Sequence, residues 1–234
     1  MKGRAVDERS ASVTAIVRIS KKDAAPLFER FHAYGGMGAA CTYLFGVVEG
    51  SRIVAVYAWQ PPPLGCARSV LPAAPWGVLS LSRMVAIPKP ERELKHISKP
   101  LKKIMKTHID RTRWPALVTF SDEGLGHNGF VYQCSGWTKT TRRETLQFVD
   151  ENGRRTSKYN NGKTSTKHIR SIGRSFIQRW ENHATEPARV LEYLSGHGWA
   201  RVPIPGKTWT SGKQAHTIIK VDSPLFADVA IDQP

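Results

Sequence analysis

The groups best able to do chemistry are concentrated in one stretch, Val118-Thr-Phe-Ser-Asp-Glu-Gly-Leu-Gly-His-Asn-Gly-Phe-Val-Tyr-Gln-Cys-Ser-Gly-Trp137. Asp122 follows an apolar run, Ala116–Phe120, and His127 follows it closely, with Gly124, Gly126 and Gly129 interleaved. A carboxylate and an imidazole at such a bend can exchange a proton with a bound substrate; the imidazole qualifies because its ordinary pKa lies near neutrality. The glycines let the backbone turn closely and leave room for a flat ligand. Each residue also has a structural alternative. Asp122 can be the N-cap of the turn after the strand, and His127 a loop histidine between glycines. Arg83 sits within the apolar stretch Trp76–Ile87, where a buried guanidinium must find a partner: Asp122, a donor group, a phosphate or an inert ion pair. His32 ends the apolar stripe of a first helix and Tyr132 opens a short one; packing alone can explain both. A His32–Asp122 or His32–His127 metal pair is not signalled by ligand spacing, so the metal content is left open.

The charge balance points to a polyanion. The 234 residues carry 35 Lys and Arg against 19 acids, a formal net charge of +16. That exceeds what solubility demands of a small protein. Lys89–Arg113 holds nine bases and three acids, and Thr138–Trp180 eleven bases and three acids, whereas residues 40–88 have four charged side chains. A neutral core with two basic segments is the pattern of a nucleic-acid footprint. Lys102, Lys103 and Lys106 in the first segment and Arg142, Arg143, Arg154, Arg155, Lys158 and Lys163 in the second are the candidate phosphate contacts. With 40% hydrophobic residues the chain can bury a core. Its apolar runs fall short of the ~20 residues a membrane span needs, and charge precedes any apolar stretch at the N-terminus, so neither a membrane nor a signal peptide is expected. Cys41, Cys66 and Cys134 are scattered and odd in number, which suits a reducing cytoplasm.

Several elements must position these groups. Val13–Ile19 alternates as a strand, and Ser20 with Asp23 resembles a capping box before a helix over Lys21–Ala33. Tyr43–Val48 and Ile53–Trp59 predict a hairpin around Glu49-Gly50-Ser51-Arg52. Gln60–Pro75, with five prolines, reads as a loop, and Trp76–Ile87 as a buried strand. Leu94, Ile97, Leu101, Ile104, Met105 and Ile109 recur at helical spacing. Ala116–Ser121 is a strand, Gly129–Ser135 a short helix, and Trp137–Val149 a strand. The order β-α-β-β-β-α-β-α-β predicts an α/β (α+β) fold with one mixed sheet flanked by helices, not a doubly wound one. Beyond it, Asn152–Lys167 reads as a polar arm, Ile169–His183 and Glu186–Leu194 as helices, Val202–Val221 as a closing hairpin and Asp222–Pro234 as a flexible tail. A single domain over 1–234 is expected, with 138–185 as a basic insertion.

The stretch quoted above resembles the Mom-type DNA-modification proteins of bacteriophages, which look like an offshoot of the GNAT acyltransferase superfamily. Ser121, Asp122, Gly126, His127, Gly129, Tyr132, Gln133, Gly136 and Trp137 sit on the positions of the family pattern. Leu81-Ser82-Arg83 matches its Leu-x-Arg, and Phe31-His32 its His-Tyr near the end of the first helix, although Ala33 follows here and Tyr34 comes one place late. The resemblance implies a GNAT-like sheet with a basic C-terminal elaboration. It also implies conversion of adenine N6 in double-stranded DNA to N6-carbamoylmethyladenine, which shields phage DNA from restriction in the host cytoplasm. Asp122, His127, His32, Tyr132 and Arg83 would be the catalytic set, and Ser82, Arg83, Lys89, Arg92 and Tyr132 would hold the donor. The donor stays unnamed. Where a GNAT enzyme has a glycine loop for the phosphates of acyl-CoA, this chain has Pro88-Lys-Pro-Glu-Arg-Glu-Leu94, without glycine. Proline lacks the amide hydrogen such a cradle uses. The alternatives are an acyl-CoA-dependent N-acetyltransferase acting on an amine, and a non-catalytic DNA-binding protein of the same fold. Gln60-Pro-Pro-Pro63 only superficially matches the signature of amino-methyltransferases. A homodimer is a further expectation.

Overall fold

The computed structural model describes residues 15–34, 36, 41–153, 155–156, 169–208 and 214–221. Arg154, Lys158, Lys163, most of the polar arm and the tail lie outside the described residues. Ten strands and five α-helices follow in chain order: β1 Ala15–Arg18, α1 Lys21–Phe31, β2 Tyr43–Glu49, β3 Arg52–Gln60, α2 Leu64–Val70, β4 Val78–Ala86, α3 Ser98–Thr107, β5 Ala116–Asp122, α4 Phe130–Cys134, β6 Thr138–Val149, β7 Arg155–Thr156, β8 Arg170–His183, α5 Val190–Gly196, β9 Trp199–Thr208 and β10 Gln214–Lys220. Eight strands form one mixed sheet in the order β1-β2-β3-β4-β5-β8-β6-β7, and β9 and β10 form a separate antiparallel pair. The expected fold class, a mixed α/β sheet flanked by helices, is what the chain adopts.

Alternation along the strands sends side chains to two cores. Ala55, Tyr57 and Trp59 of β3 join Leu101, Ile104 and Met105 of α3 and Leu117 of β5 on one face. Val56 and Ala58 meet Ala24 and Phe28 of α1 on the other, where Val118 of β5 also packs with α2 and α5. Helix α1 begins as its sequence predicts. The Ser20 side chain accepts from the Asp23 amide, and the Asp23 carboxylate accepts from the Ser20 amide.

Three elements differ from the sequence expectation. The proline-rich segment is not all loop: its prolines flank Leu64–Val70, which is free of them and forms α2 with Pro63 at the N-cap. Helix α3 is confined to Ser98–Thr107; ahead of it the Glu93 and Leu94 amides donate to Glu49 and the Ile97 carbonyl accepts from the Tyr57 hydroxyl. Ile169–His183, expected as a helix, is β8, a 14-residue strand wedged between β5 and β6. Partners on both edges satisfy its backbone, and this overrides local helix preference. Much of the basic segment 138–185 is therefore sheet.

The site arises where the sheet parts. Strands β4 and β5 are parallel and paired only over Val78–Ser80 and Ala116–Val118. Just beyond, Ala58 pairs with Arg83 and Trp59 with Leu81, so Ser82 is an extra residue on β4. The bulge bends β4 away from β5. Ser82 Oγ donates to the Ala58 carbonyl at 3.1 Å, and Thr119 Oγ1 bridges the parting strands by donating to the Leu81 carbonyl at 2.9 Å.

Candidate active site

The diverging halves of β4 and β5 wall a cavity of about 800 Å³, closed by residues 31–34 at and beyond the end of α1 on one side and by residues 125–132, the turn and the start of α4, on the other. Asp122, the last residue of β5, lies inside it and is nearly buried. Its Oδ1 accepts from the Gly124 amide at 2.9 Å and from Ser175 Oγ at 2.9 Å, and its Oδ2 from the Tyr34 hydroxyl at 3.3 Å. Asp122 thus both caps the turn that follows, as the structural alternative has it, and presents an oxygen to the cavity. Burial, then the neighbouring Asp122 charge, raises the Tyr34 pKa, so Tyr34 stays a hydrogen-bond donor.

His32 and His127 both line the same cavity. Burial, with Arg83 and His127 nearby, lowers the His32 pKa to about 4, so its ring is neutral at pH 7. Its Nδ1 accepts from the Tyr34 amide at 3.2 Å. The neutral tautomer therefore carries its proton on Nε2, and His32 is a donor here and not the proton acceptor. His127 stands on the exposed rim; its amide donates to the Asp122 carbonyl at 3.1 Å, which folds the turn back onto the strand. Arg83 takes through Nη1 a partner that the sequence did not suggest, the Gly36 carbonyl. The carboxylate of Asp122 is instead held by Tyr34, Ser175 and Gly124. Tyr132 is hydrogen bonded to Thr119, and burial raises its pKa. Its ring packs 6.0 Å from both Trp137 and Trp180, so packing and a place on the cavity wall coexist in one side chain.

The donor end departs further from expectation. Ser82 lines the cavity, but its hydroxyl is committed to the Ala58 carbonyl. Lys89 is exposed and lies outside the cavity lining. Arg92 lines the cavity; its Nε donates to the Ile87 carbonyl at 2.6 Å, and its buried Nη1 meets no acceptor among the described residues. The loop does not fit the pyrophosphate of an acyl-CoA. Pro88 and Pro90 have no N–H. The amides of Glu93 and Leu94 already donate to the Glu49 carboxylate, at 2.9 and 2.5 Å. Arg52 fastens the same loop by pairing with Glu91 at 3.5 Å. An anion would meet a carboxylate where it needs open amides.

On the outer face, Lys102, Lys103 and Lys106 are exposed on α3, and Arg143 is exposed on β6. Arg142 is engaged: it forms two 2.8 Å bonds to the Glu123 carboxylate and stacks 3.4 Å from the Phe176 ring centroid. Arg155 donates to Gln147 Oε1 at 2.5 Å and to the Gly124 carbonyl at 3.1 Å. Among the described residues no group of three or more His, Cys, Asp or Glu could hold a metal ion. No helix of the described residues is long and apolar enough to cross a membrane.

Sequence reasoning missed Ser175, because its strand reads as a helix, and registered Tyr34 only as a displaced tyrosine. Tyr34 reaches Asp122 because the chain after α1 turns back over the cavity.

Solved structures similar to the chain include the ribosomal-protein-S18-alanine N-acetyltransferase of Escherichia coli, at 11% identity and TM-score 0.47 over 74% of this chain and 96% of that one. A Bacillus subtilis acetyltransferase in complex with CoA matches at 10% identity and TM-score 0.45, over 73% and 99%. The spermidine N-acetyltransferase of Vibrio cholerae matches at 6% identity and TM-score 0.44, over 75% and 98%. No curated protein matches the sequence. The model of the Mom protein family matches residues 13–195, a span running from β1 through the carboxylate, the histidine-bearing turn and β8 into α5. With most of its length and its whole cavity inside that match, the chain belongs to the Mom protein family.

Proposed function

We propose that the protein transfers a carbamoylmethyl group to the N6 amine of adenine in double-stranded DNA, and that this modification shields the DNA from restriction. The observation that carries the reading is the Asp122 carboxylate, held at the parting of β4 and β5 within a family member and facing a cavity with room for an extruded base and a small donor. The N6 lone pair is delocalised into the ring and is a poor nucleophile. In the reaction the N6–carbon bond forms, the bond from the methylene carbon to its leaving group breaks, and one N6 proton must depart. The donor is of the class that carries a leaving group on the carbamoylmethyl carbon. Asp122 orients the amine by accepting its N–H and takes the proton as bonding acidifies it. Tyr34 holds that carboxylate through its hydroxyl, and neutral His32, with its proton on Nε2, offers a donor to the adenine or to the donor's carbonyl. Arg92 lines the cavity and is a cation that an acceptor oxygen of the donor could meet there. The committed amides of the 88–94 loop argue against acyl-CoA in that role.

Nucleosides from the DNA of cells expressing the protein, separated and weighed by mass spectrometry, test the proposal. Deoxyadenosine carrying a carbamoylmethyl group is expected. Unmodified adenine in cells that contain the folded protein would refute the reaction.

A further inference from the structure

The cavity rim carries an aromatic side chain that is largely exposed among the described residues. Phe130, the first residue of α4, lines the cavity and is 63% exposed. A single exposed apolar residue needs no explanation in itself. Here, however, the backbone beneath it is fastened on every side. The Phe130 amide donates to Asn128 Oδ1 at 3.0 Å, the Tyr132 amide to the Gly129 carbonyl at 2.9 Å, and the His127 amide to the Asp122 carbonyl at 3.1 Å. Gly129 has φ +76°, and a β-carbon there would stand 2.1 Å from the Trp180 ring, so the turn is packed directly onto β8. The Trp180 indole is in turn tied to Ser121 Oγ at 2.9 Å, the residue before Asp122. The neighbouring turn also holds two guanidinium groups, Arg142 on Glu123 and Arg155 on the Gly124 carbonyl. A rigid apolar tip set at the mouth of a cavity that holds the reactive carboxylate has the form of a wedge for a stacked duplex.

Resting on the DNA reading above, we infer that Phe130 enters the duplex stack and fills the gap left by the adenine as that base swings into the cavity. It is a positioning residue. It acts on the base-extrusion step, whose cost is smallest when the base is already unpaired. A wedge needs bulk and low polarity but not a π face, so leucine can serve in its place, as it does among intercalating side chains.

Duplexes with 2-aminopurine replacing one adenine at a time test this, since its emission rises when it leaves the stack. The unaltered protein is expected to raise the emission at its target position. Phe130→Ala, which removes an exposed side chain and leaves thermal unfolding unchanged, is expected to lower that gain about tenfold with DNA affinity kept within a few-fold. Phe130→Leu should keep the gain. Placing the 2-aminopurine opposite an abasic site should restore it for Phe130→Ala. Equal emission for Phe130→Ala and the unaltered protein on paired duplex would overturn the wedge alone. So would a loss that persists with the unpaired base, or one that Leu shares, because either places Phe130 against the base itself. Failure of the unaltered protein to bind any duplex would overturn the wedge together with the DNA reading.

Discussion

Asp122 accepts hydrogen bonds on both oxygens, and their arrangement sets what substitution does. In Asp122→Asn the retained oxygen can keep the Gly124 amide and Ser175 Oγ, and the new amide group meets the Tyr34 hydroxyl, which can rotate to accept. Shape survives and charge is lost. Adenine modification is expected to fall by ~10²-fold or more, the usual scale for losing a general base. Near-normal modification by a folded Asp122→Asn protein, counted by nucleoside mass spectrometry, would remove Asp122 from the chemistry. His32 supplies a second test. Its pKa falls from an ordinary 6.5 to about 4 in the fold. Between these values the unfolded chain binds more protons, so stability declines as pH drops from about 6.5 towards 4 and levels off below. The ring is partly exposed, so the slope should lie below the one-proton limit of about 1.4 kcal/mol per pH unit. His32→Asn should flatten this part of a denaturant-midpoint profile taken against pH; an unchanged profile would discount the burial of the ring.

The glycine turn and the 88–94 loop work as elements. Gly129 combines a left-handed backbone with close contact to Trp180, so Gly129→Ala must strain the turn or displace the indole. A loss of about 2 kcal/mol or more in thermal unfolding is expected, with adenine modification lost as well because Asp122 is tied to the same turn. Gly126→Ala gives the comparison: it shares the positive φ but has no neighbour within 4 Å of the added carbon, so it should cost less. In the 88–94 loop, the Glu49 carboxylate fills the amides that an anion would use. Calorimetric titration with acetyl-CoA should therefore give no saturable heat, while Glu49→Ala should cost about 1 kcal/mol of stability, since two charge-assisted bonds are lost but water can reach the exposed Glu93 amide. A tight stoichiometric acetyl-CoA complex would restore the acetyltransferase alternative.

At the scale of the whole molecule the net charge of +16 must be set against where the cations are free. Binding to duplex DNA should weaken steeply between ~50 and ~200 mM salt if several phosphates are neutralised. The exposed lysines of α3 and Arg142 of β6 should differ in that measurement. Replacing Lys102, Lys103 and Lys106 together by Gln should lower the salt slope by about one for each phosphate that a lysine had neutralised. Arg142→Gln should hardly change it, because that guanidinium already neutralises Glu123. An unchanged slope in the lysine variant would place the footprint elsewhere on the surface.

Elements whose signals are local could be read from the residues alone. The Ser20–Asp23 capping box, the β2–β3 hairpin, the order of elements through β6 apart from α2, and the closing hairpin all rest on residues a few places apart, where periodicity and turn chemistry act. Asp122, His127 and the family pattern could be read there too, because that text is contiguous. Features that depend on partners distant along the chain emerge only on packing. Ile169–His183 became a strand because β5 and β6 offered it two hydrogen-bonding edges. Ser175 reached Asp122 across that new pairing, 53 residues away. The cavity itself comes from one extra residue in the β3–β4 register, and no composition or spacing reveals which strand a bulge will bend or what it will open. The state of His32 was decided the same way, since burial beside Arg83 and His127, and not its place at a helix end, made it neutral.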